Sequence, residues 1–328
     1  MKNKRTPHGA LQQLLAFASL VVLVVVFSLL SPNFFQFSNI TGILLSTAVI
    51  GVLALGVTFV IITGGIDLSI GTVMTLCSVM TGVFITFWGL PIWVGVIGGI
   101  LTGALCGWLC GVMVARLNIP PFIATLAMMM VAKGLALVIS GTRPIYFTDA
   151  PGFTRISLGS VTGAIIPGFD IPNAVLIFFL MAIIGGILLS RTIVGRYNFA
   201  IGSNEEATRL SGVNVRFWKV VIYTITGVFT GVAGVLMASR LNSAQPALGQ
   251  GYELEAIAAV VLGGTSLSGG KGTIVGTVIG ALIMSVLTNG LRILSVPQEW
   301  QTVVVGIVII LAVYADMARR RKGAGAHA

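Results

Sequence analysis

Apolar residues run through this chain in long blocks rather than in alternation with polar ones. Ten blocks have, or come near, the ~20 residues that an α-helix needs to cross a bilayer. They cover 12–31, 41–62, 70–88, 92–115, 121–140, 172–190, 217–238, 253–267, 273–291 and 300–317. No stretch shows the ~10-residue alternating segments of a membrane β-barrel. The pattern predicts an all-α polytopic membrane protein with about ten transmembrane helices. The block at 253–267 is the weakest, because Gly263-Gly264 interrupts it. The first block is longer than the apolar core of a signal peptide and has no small-residue cleavage site, so Leu14 to Leu30 is expected to stay as a span.

Two polar connections stand out against these blocks. Gly141 to Pro172 is rich in Gly, Pro, Ser and Thr and carries Tyr146, Phe147, Phe153 and Phe169. The stretch 191–216, RTIVGRYNFAIGSNEEATRLSGVNVR, is the most polar part of the chain. Long loops without a job are uncommon. Composition agrees with the blocks: only 9% of residues are charged, against ~25% in soluble domains. The net charge of +10 points to membrane orientation rather than to nucleic acid, since no basic patch is interleaved with aromatic residues. With the N-terminus inside, the inner segments hold Lys2, Lys4, Arg5, Arg116, Arg191, Arg196, Arg209, Arg216, Lys219, Lys271 and the run Arg319 to Lys322. The outer segments hold Arg143, Arg155, Arg240 and Arg292, and Lys133 falls within a span. This asymmetry predicts cytoplasmic tails at 1–11 and 318–328 and a cytoplasmic 191–216 loop, in one transmembrane domain covering 1–328.

Little in the chain suggests catalysis. LGGTSLSGGKGT at 262–273 resembles a phosphate-binding loop, which requires G-x-x-x-x-G-K-[ST]. Thr265 stands where the first glycine should be and Gly272 where the hydroxyl should be, so the match fails. His8 and His327 are confined to the ends of the chain. Cys77, Cys106 and Cys110 lie in apolar blocks with no metal-ligand spacing and read as small core residues. No enzyme, cofactor or metal is expected from this chain.

Several residues are candidates for a pathway or gate. GGIDLS at 64–69 and GGTSLS at 263–268 share G-G-x-x-L-S, and each closes one apolar block and opens another. Paired Gly-interrupted segments can mark a transport pathway; glycine that merely ends a helix is the other explanation. Asp67 is the only acid before Asp149. It is either a pathway residue, placed against protein or water because a carboxylate in lipid is costly, or, with Ser69, a cap for the helix that follows. Lys133, after Met128-Met129-Met130, is left open between snorkelling, an ion pair and a water-lined site. The methionine run is expected to be core packing.

NEEATRLSGVN at 204–214 differs in kind. Asn204 can cap a short helix, and Glu205 and Glu206 suit its positive end. Arg209 shares a face with both acids, and Gly212 can end the helix. A short polar helix in the largest inner loop reads as a docking knob for a soluble partner, or as a solvated loop helix with none.

Taken together, SPNFFQFSNI after the first block, TGGIDLSIG at 63–71, PPFIATLAMMM at 120–130, GSNEEATRLSGVNV at 202–215 and NSAQPALGQGYELEAIAAVVLGGTSLSGGKGTIVGT at 242–277 resemble the permease subunits of ribose-type sugar ABC importers. Only small departures occur, Asn242 and Gly64 standing where the family pattern has serine. The resemblance implies a multi-pass protein of the bacterial inner membrane that moves a monosaccharide, ribose or a related sugar, by alternating access. It implies a second permease copy in a homodimer, a tandem two-module cytoplasmic ATPase that uses ATP and Mg, and an extracytoplasmic sugar-binding protein. Asn204, Glu205, Glu206, Ala207, Arg209, Leu210 and Gly212 would then couple to the ATPase. Thr63, Gly64, Gly65, Asp67, Ser69, Asn118, Thr125, Gly263, Gly264, Thr265, Ser266 and Ser268 are the candidate pathway or gate residues. The rival expectation is an autonomous ion-driven carrier in which Asp67 titrates.

Overall fold

The computed structural model of the chain describes residues 7–166, 168 and 170–324, with side chains placed from 13 to 314. The apolar blocks fold as helices α1 (Pro7–Leu30), α2 (Phe37–Ile62), α3 (Ile70–Gly82, prolonged by a π-turn over Val83–Phe87), α4 (Ile92–Ala115) and α5 (Pro121–Ile139). There follow α6 (Val161–Ile165), α7 (Asn173–Arg191), α8 (Ile193–Ser203), α9 (Glu205–Leu210), α10 (Val215–Leu241), α11 (Tyr252–Leu262), α12 (Ile274–Ile293) and α13 (Gln298–Ala324). Among the described residues, eight helices are long and apolar enough to cross a membrane: α1 to α5, α7, α10 and α12.

One expected span is therefore corrected. The block at 253–267 is helical for only 11 residues, which is ~16 Å at 1.5 Å per residue and about half of a ~30 Å hydrocarbon core. Gly263-Gly264 stops it. α13 runs from Gln298 to Ala324, long enough to contain the expected span at 300–317, and it continues through most of the expected tail. Lys2, Lys4 and Arg5, and the side chains of His8, Arg319 to Lys322, Phe169 and His327, lie outside the described set.

The burial of each helix follows from its sequence. α2 is apolar on every side, and 89% of its span window is buried, against 11% for α1. A helix without a polar face belongs either in the core or against lipid, and these two take the two options. α2 packs on α7, α10, α11 and α12. Hydroxyls reinforce the contacts: Thr58 Oγ1 lies 2.8 Å from Thr277 Oγ1, and Thr226 Oγ1 donates to the Gly56 carbonyl at 2.9 Å. α1 rests against α12, where Phe27 covers Gly290 and stacks on Phe34.

α4 and α10 approach most closely. Gly95, Gly99, Gly103, Gly107 and Gly111 recur every fourth residue of α4 and form one face. A Cβ added at Gly103 would meet backbone of Gly227 and Gly231, and one at Gly107 would meet backbone of Tyr223 and Gly227. Between helices in lipid the hydrophobic drive is absent, so small residues that admit close backbone packing supply much of the attraction.

The bundle has two differently built ends. At one, the long 141–172 connection folds back onto α10. Ile145–Tyr146 pairs antiparallel with Ser243–Ala244. Ser239 Oγ accepts from Ser157 N at 3.0 Å and donates to the Phe153 carbonyl at 2.8 Å. The Phe147 and Phe153 rings are 4.1 Å apart and buried. The other end carries α8 and α9, with Gln13 Nε2 of α1 donating to Thr273 Oγ1 at 2.9 Å beside the start of α12.

Replacing Gly103 with valine should separate α4 from α10 and lower stability by about 1–3 kcal/mol, the usual cost of overpacking. Gly134→Ala, in open space on α5, should change it by less than about 1 kcal/mol. Thermal unfolding of the purified protein in a mild detergent checks both, and equal midpoints would disprove the close approach.

Candidate functional site

The 204–214 segment forms the knob its sequence suggests. Asn204 Oδ1 accepts from Ala207 N at 2.9 Å, capping α9. Glu206 and Arg209 pair at 2.6 Å, both about two-thirds exposed. The Arg209 hydrogen bond, and then its charge, hold the Glu206 carboxyl below the usual range. Glu205 turns away from Arg209 and binds Lys219 of α10 at 2.7 Å. Leu210 is 77% exposed, and Gly212 takes φ +85° to end the segment. Ala207 lends its backbone N–H to the Asn204 cap. The face is thus one apolar residue beside an ion pair, on a helix held down from below. Thr208, on the buried side of α9 with Oγ1 donating to the Asn204 carbonyl at 2.8 Å, and Lys219 are the holding residues. The sequence reading missed both. Only the alternation of exposed and buried positions around Thr208 could have signalled the first.

The two glycine motifs close their helices in the same way. Gly64 has φ +79° and Gly264 φ +88°. Gly64 N donates to the Ile61 carbonyl (2.9 Å) and Gly65 N to Val60 (3.2 Å), while Gly264 N donates to Val261 (2.9 Å) and Thr265 N to Val260 (3.1 Å). Both are Schellman closures, with glycine at the left-handed position. Helix termination is therefore part of the explanation for the repeat. The structure also brings the motifs together. Gly270 N donates to the Ile62 carbonyl at 2.8 Å, and a Cβ at Gly64 would touch the Ser268 carbonyl. Gly202, near the end of α8, sits so close to Ile62 and Gly270 that its own Cβ would strike backbone. The strand of contacts thus runs from α8, just before the knob, to the end of α2 and to Gly270, beyond the second motif.

Asp67 is 3% exposed. Its Oδ1 accepts from Ser69 N at 2.9 Å and Ser69 Oγ at 2.6 Å, just ahead of α3. The cap-like role falls to Asp67, and Ser69 Oγ donates to it instead of capping the helix. Thr125 Oγ1 accepts from Leu68 N at 3.2 Å and donates to the Pro121 carbonyl at 2.9 Å, tying this turn to α5. Thr63 Oγ1 donates to the Val60 carbonyl at 2.6 Å. Gly263 packs backbone to backbone on Gly276. Thr265 and Ser266 are buried, and Ser268 is exposed. Asn118 is exposed in a left-handed turn before Pro120, with no bond to either glycine motif among the described residues. Lys133 Nζ donates to Gln250 Oε1 at 3.0 Å. Of the methionine run, Met128 is core but Met130 is 58% exposed, so packing accounts for only part of it.

The sequence model of a family described as "Branched-chain amino acid transport system / permease component" matches residues 39–313. The ribose import permease of Bacillus subtilis strain 168 is 45% identical over 96% of this chain and 95% of its own length. The ribose import permease of Escherichia coli K12 is 41% identical, covering 91% of each. The chain belongs to this permease family. The L-arabinose transport system permease of E. coli K12 is 38% identical over 93% of this chain and 91% of its own length. No solved structure matches. A permease with eight helices fit to span is a multi-pass protein of the bacterial inner membrane.

Asn204→Ala should remove the α9 cap at a cost of about 1 kcal/mol. Hydrogen exchange of the Ala207 amide should speed up about fivefold, and an unchanged rate would mean that the tether to Lys219 alone holds the helix.

Proposed function

We propose that this chain, as one transmembrane domain over 1–328, is the membrane permease of an ATP-driven monosaccharide importer, with ribose as its sugar. The near full-length likeness to two ribose import permeases, at 45% and 41% identity, carries the reading. The lower identity to an L-arabinose permease, 38%, favours ribose over that sugar. The distribution of Lys and Arg supports a cytoplasmic α9 end, with both termini on that side.

On this reading the chain itself binds no cofactor. A tandem two-module ATPase, using ATP and Mg, docks on α9 through Leu210 and the Glu206–Arg209 pair. An extracytoplasmic binding protein delivers sugar at the opposite end, beside the β-pair. Two permease copies, as a homodimer, rock between outward-open and inward-open states. Displacement of α9 passes through α8 to Gly202, which packs on Ile62 just before the first glycine motif and on Gly270 just after the second. Those motifs are the bending points: each joins two helices by a turn whose left-handed glycine tolerates large dihedral changes. The packed Asp67–Ser69–Thr125 cluster supports the turn.

Co-purification from native membranes tests the reading. Wild type should bring down a two-module ATPase and sugar-stimulated ATP hydrolysis, and Arg209→Glu, which sets a second acid beside Glu206, should lose about tenfold or more of that activity. Sugar uptake by the purified chain alone, insensitive to Arg209→Glu, would show an autonomous carrier instead.

A further inference from the structure

Backbone bonds hold the two glycine turns shut. Gly65 N donates to the Val60 carbonyl and Thr265 N to that of Val260, while Gly64 N and Gly264 N donate to Ile61 and Val261. Val60 and Val260 are fully buried, and Gly65 and Thr265 are buried with them. When the turns bend, these donors and acceptors separate. Shut off from water, they must find their next partners in the protein.

Spare partners stand at this junction. Six buried side-chain polar atoms among the described residues have no hydrogen bond, and four of them belong to Asn198, Tyr223 and Thr265. The other two, on Ser285 and Asn289, lie along α12. Tyr223 of α10 is 1% exposed. Its hydroxyl sits beside the first turn: a Cβ added at Gly65 would stand 2.8 Å from it and 3.1 Å from a Val60 methyl. Thr265 belongs to the second turn, and its Oγ1 is unpaired although its backbone N–H is engaged. Asn198 is wholly buried on α8, with both ends of its amide unpaired. It falls one helical turn before Gly202 on the same face, and Gly202 is the residue packed on Ile62 and Gly270.

Leaving a buried polar group unpaired is unfavourable, and an apolar side chain of the same shape avoids the penalty. Phenylalanine, valine and leucine would fill these three places without it. Three such penalties gathered at one junction point to bonds made in another conformation. On the importer reading above, with its hinges at Gly64 and Gly264, we infer that Tyr223, Thr265 and Asn198 are positioning residues of the transport cycle. They are unpaired while the turns are shut, and they take up the backbone groups that the turns release on bending. Each has the chemistry for its place. The phenol can donate to the Val60 carbonyl. The threonine hydroxyl can donate to the Val261 carbonyl four residues back. The amide both donates and accepts, which suits a junction that frees N–H and C=O groups together. Pairing them in the bent state and not in the shut one brings the two states closer in free energy.

The whole transporter, with its ATPase and binding protein, provides the test. Tyr223→Phe, Thr265→Val and Asn198→Leu nearly keep the shape and remove the unpaired group. Thermal midpoints are read without nucleotide and after trapping with ATP and vanadate. Each variant should leave one state at least as stable as in wild type and weaken the other, changing the gap between the two midpoints by about 2 °C or more. Ribose uptake in proteoliposomes should fall about fivefold or more. Thr226→Val is the contrast, because it removes a hydroxyl already bonded to the Gly56 carbonyl; it should lower both midpoints alike. Variants that shift both midpoints together as Thr226→Val does, or that transport like an active wild type, overturn the inference and leave the importer standing. A wild type with no ATP-driven monosaccharide uptake overturns both.

Discussion

A bilayer offers no hydrogen bonds, so any backbone that leaves helical form inside it must find its partners in the protein. The structure depends on that constraint at two places, the turns after Ile62 and after Leu262. The first turn ends the full-length α2 and the second the short α11, and each is sealed by a left-handed glycine and two bonds back into its own helix. Gly270 N joins the two turns by reaching the Ile62 carbonyl, and Ser266 N closes the second on itself at the Lys271 carbonyl. This is why α2 has to be central. Only a helix enclosed on all sides can have its end joined to a second broken segment without exposing either to lipid.

Close packing solves the same problem elsewhere. The glycine face of α4 brings its backbone against α10, and α10 in turn carries the tether to α9 at Lys219 and the β-pair at its far end. One helix thereby links the two ends of the bundle. The 141–172 connection, which composition alone makes look like a free loop, is instead fastened to α10 by Ser157, Ser239 and two buried phenylalanines.

Much of this was legible in the order of residues because the membrane imposes a strong one-dimensional pattern. The long helices, the glycine repeats and the capped α9 all follow from local chemistry. The length of α11 did not, because Gly263-Gly264 marks where it ends while its start depends on Gly251, held left-handed at φ +98°. The candidate site was legible in part. Asp67, Thr125 and Thr265 announce themselves as polar groups in apolar surroundings, yet they are packed shut. Arg240 and Arg292 read as loop charges that orient the chain. Nothing in sequence sets them around one cavity with Glu255 and Asn289, since that meeting requires α10, α11 and α12 to be folded first.

The short helix α11 ends at a glycine turn, where Gly263 packs on Gly276, and its first residues, Tyr252 and Glu255, line a cavity with Asn289 and Arg292 of α12. At ~16 Å it is short enough to move as a rigid body, and buried helices transmit displacement because cores are close-packed. Under the proposed importer, a push on α9 would reach Gly202 and, through its packing on Ile62 and Gly270, the two glycine turns. Such a path runs through backbone packing and needs no titrating group, so it would leave Asp67 as the support of its turn.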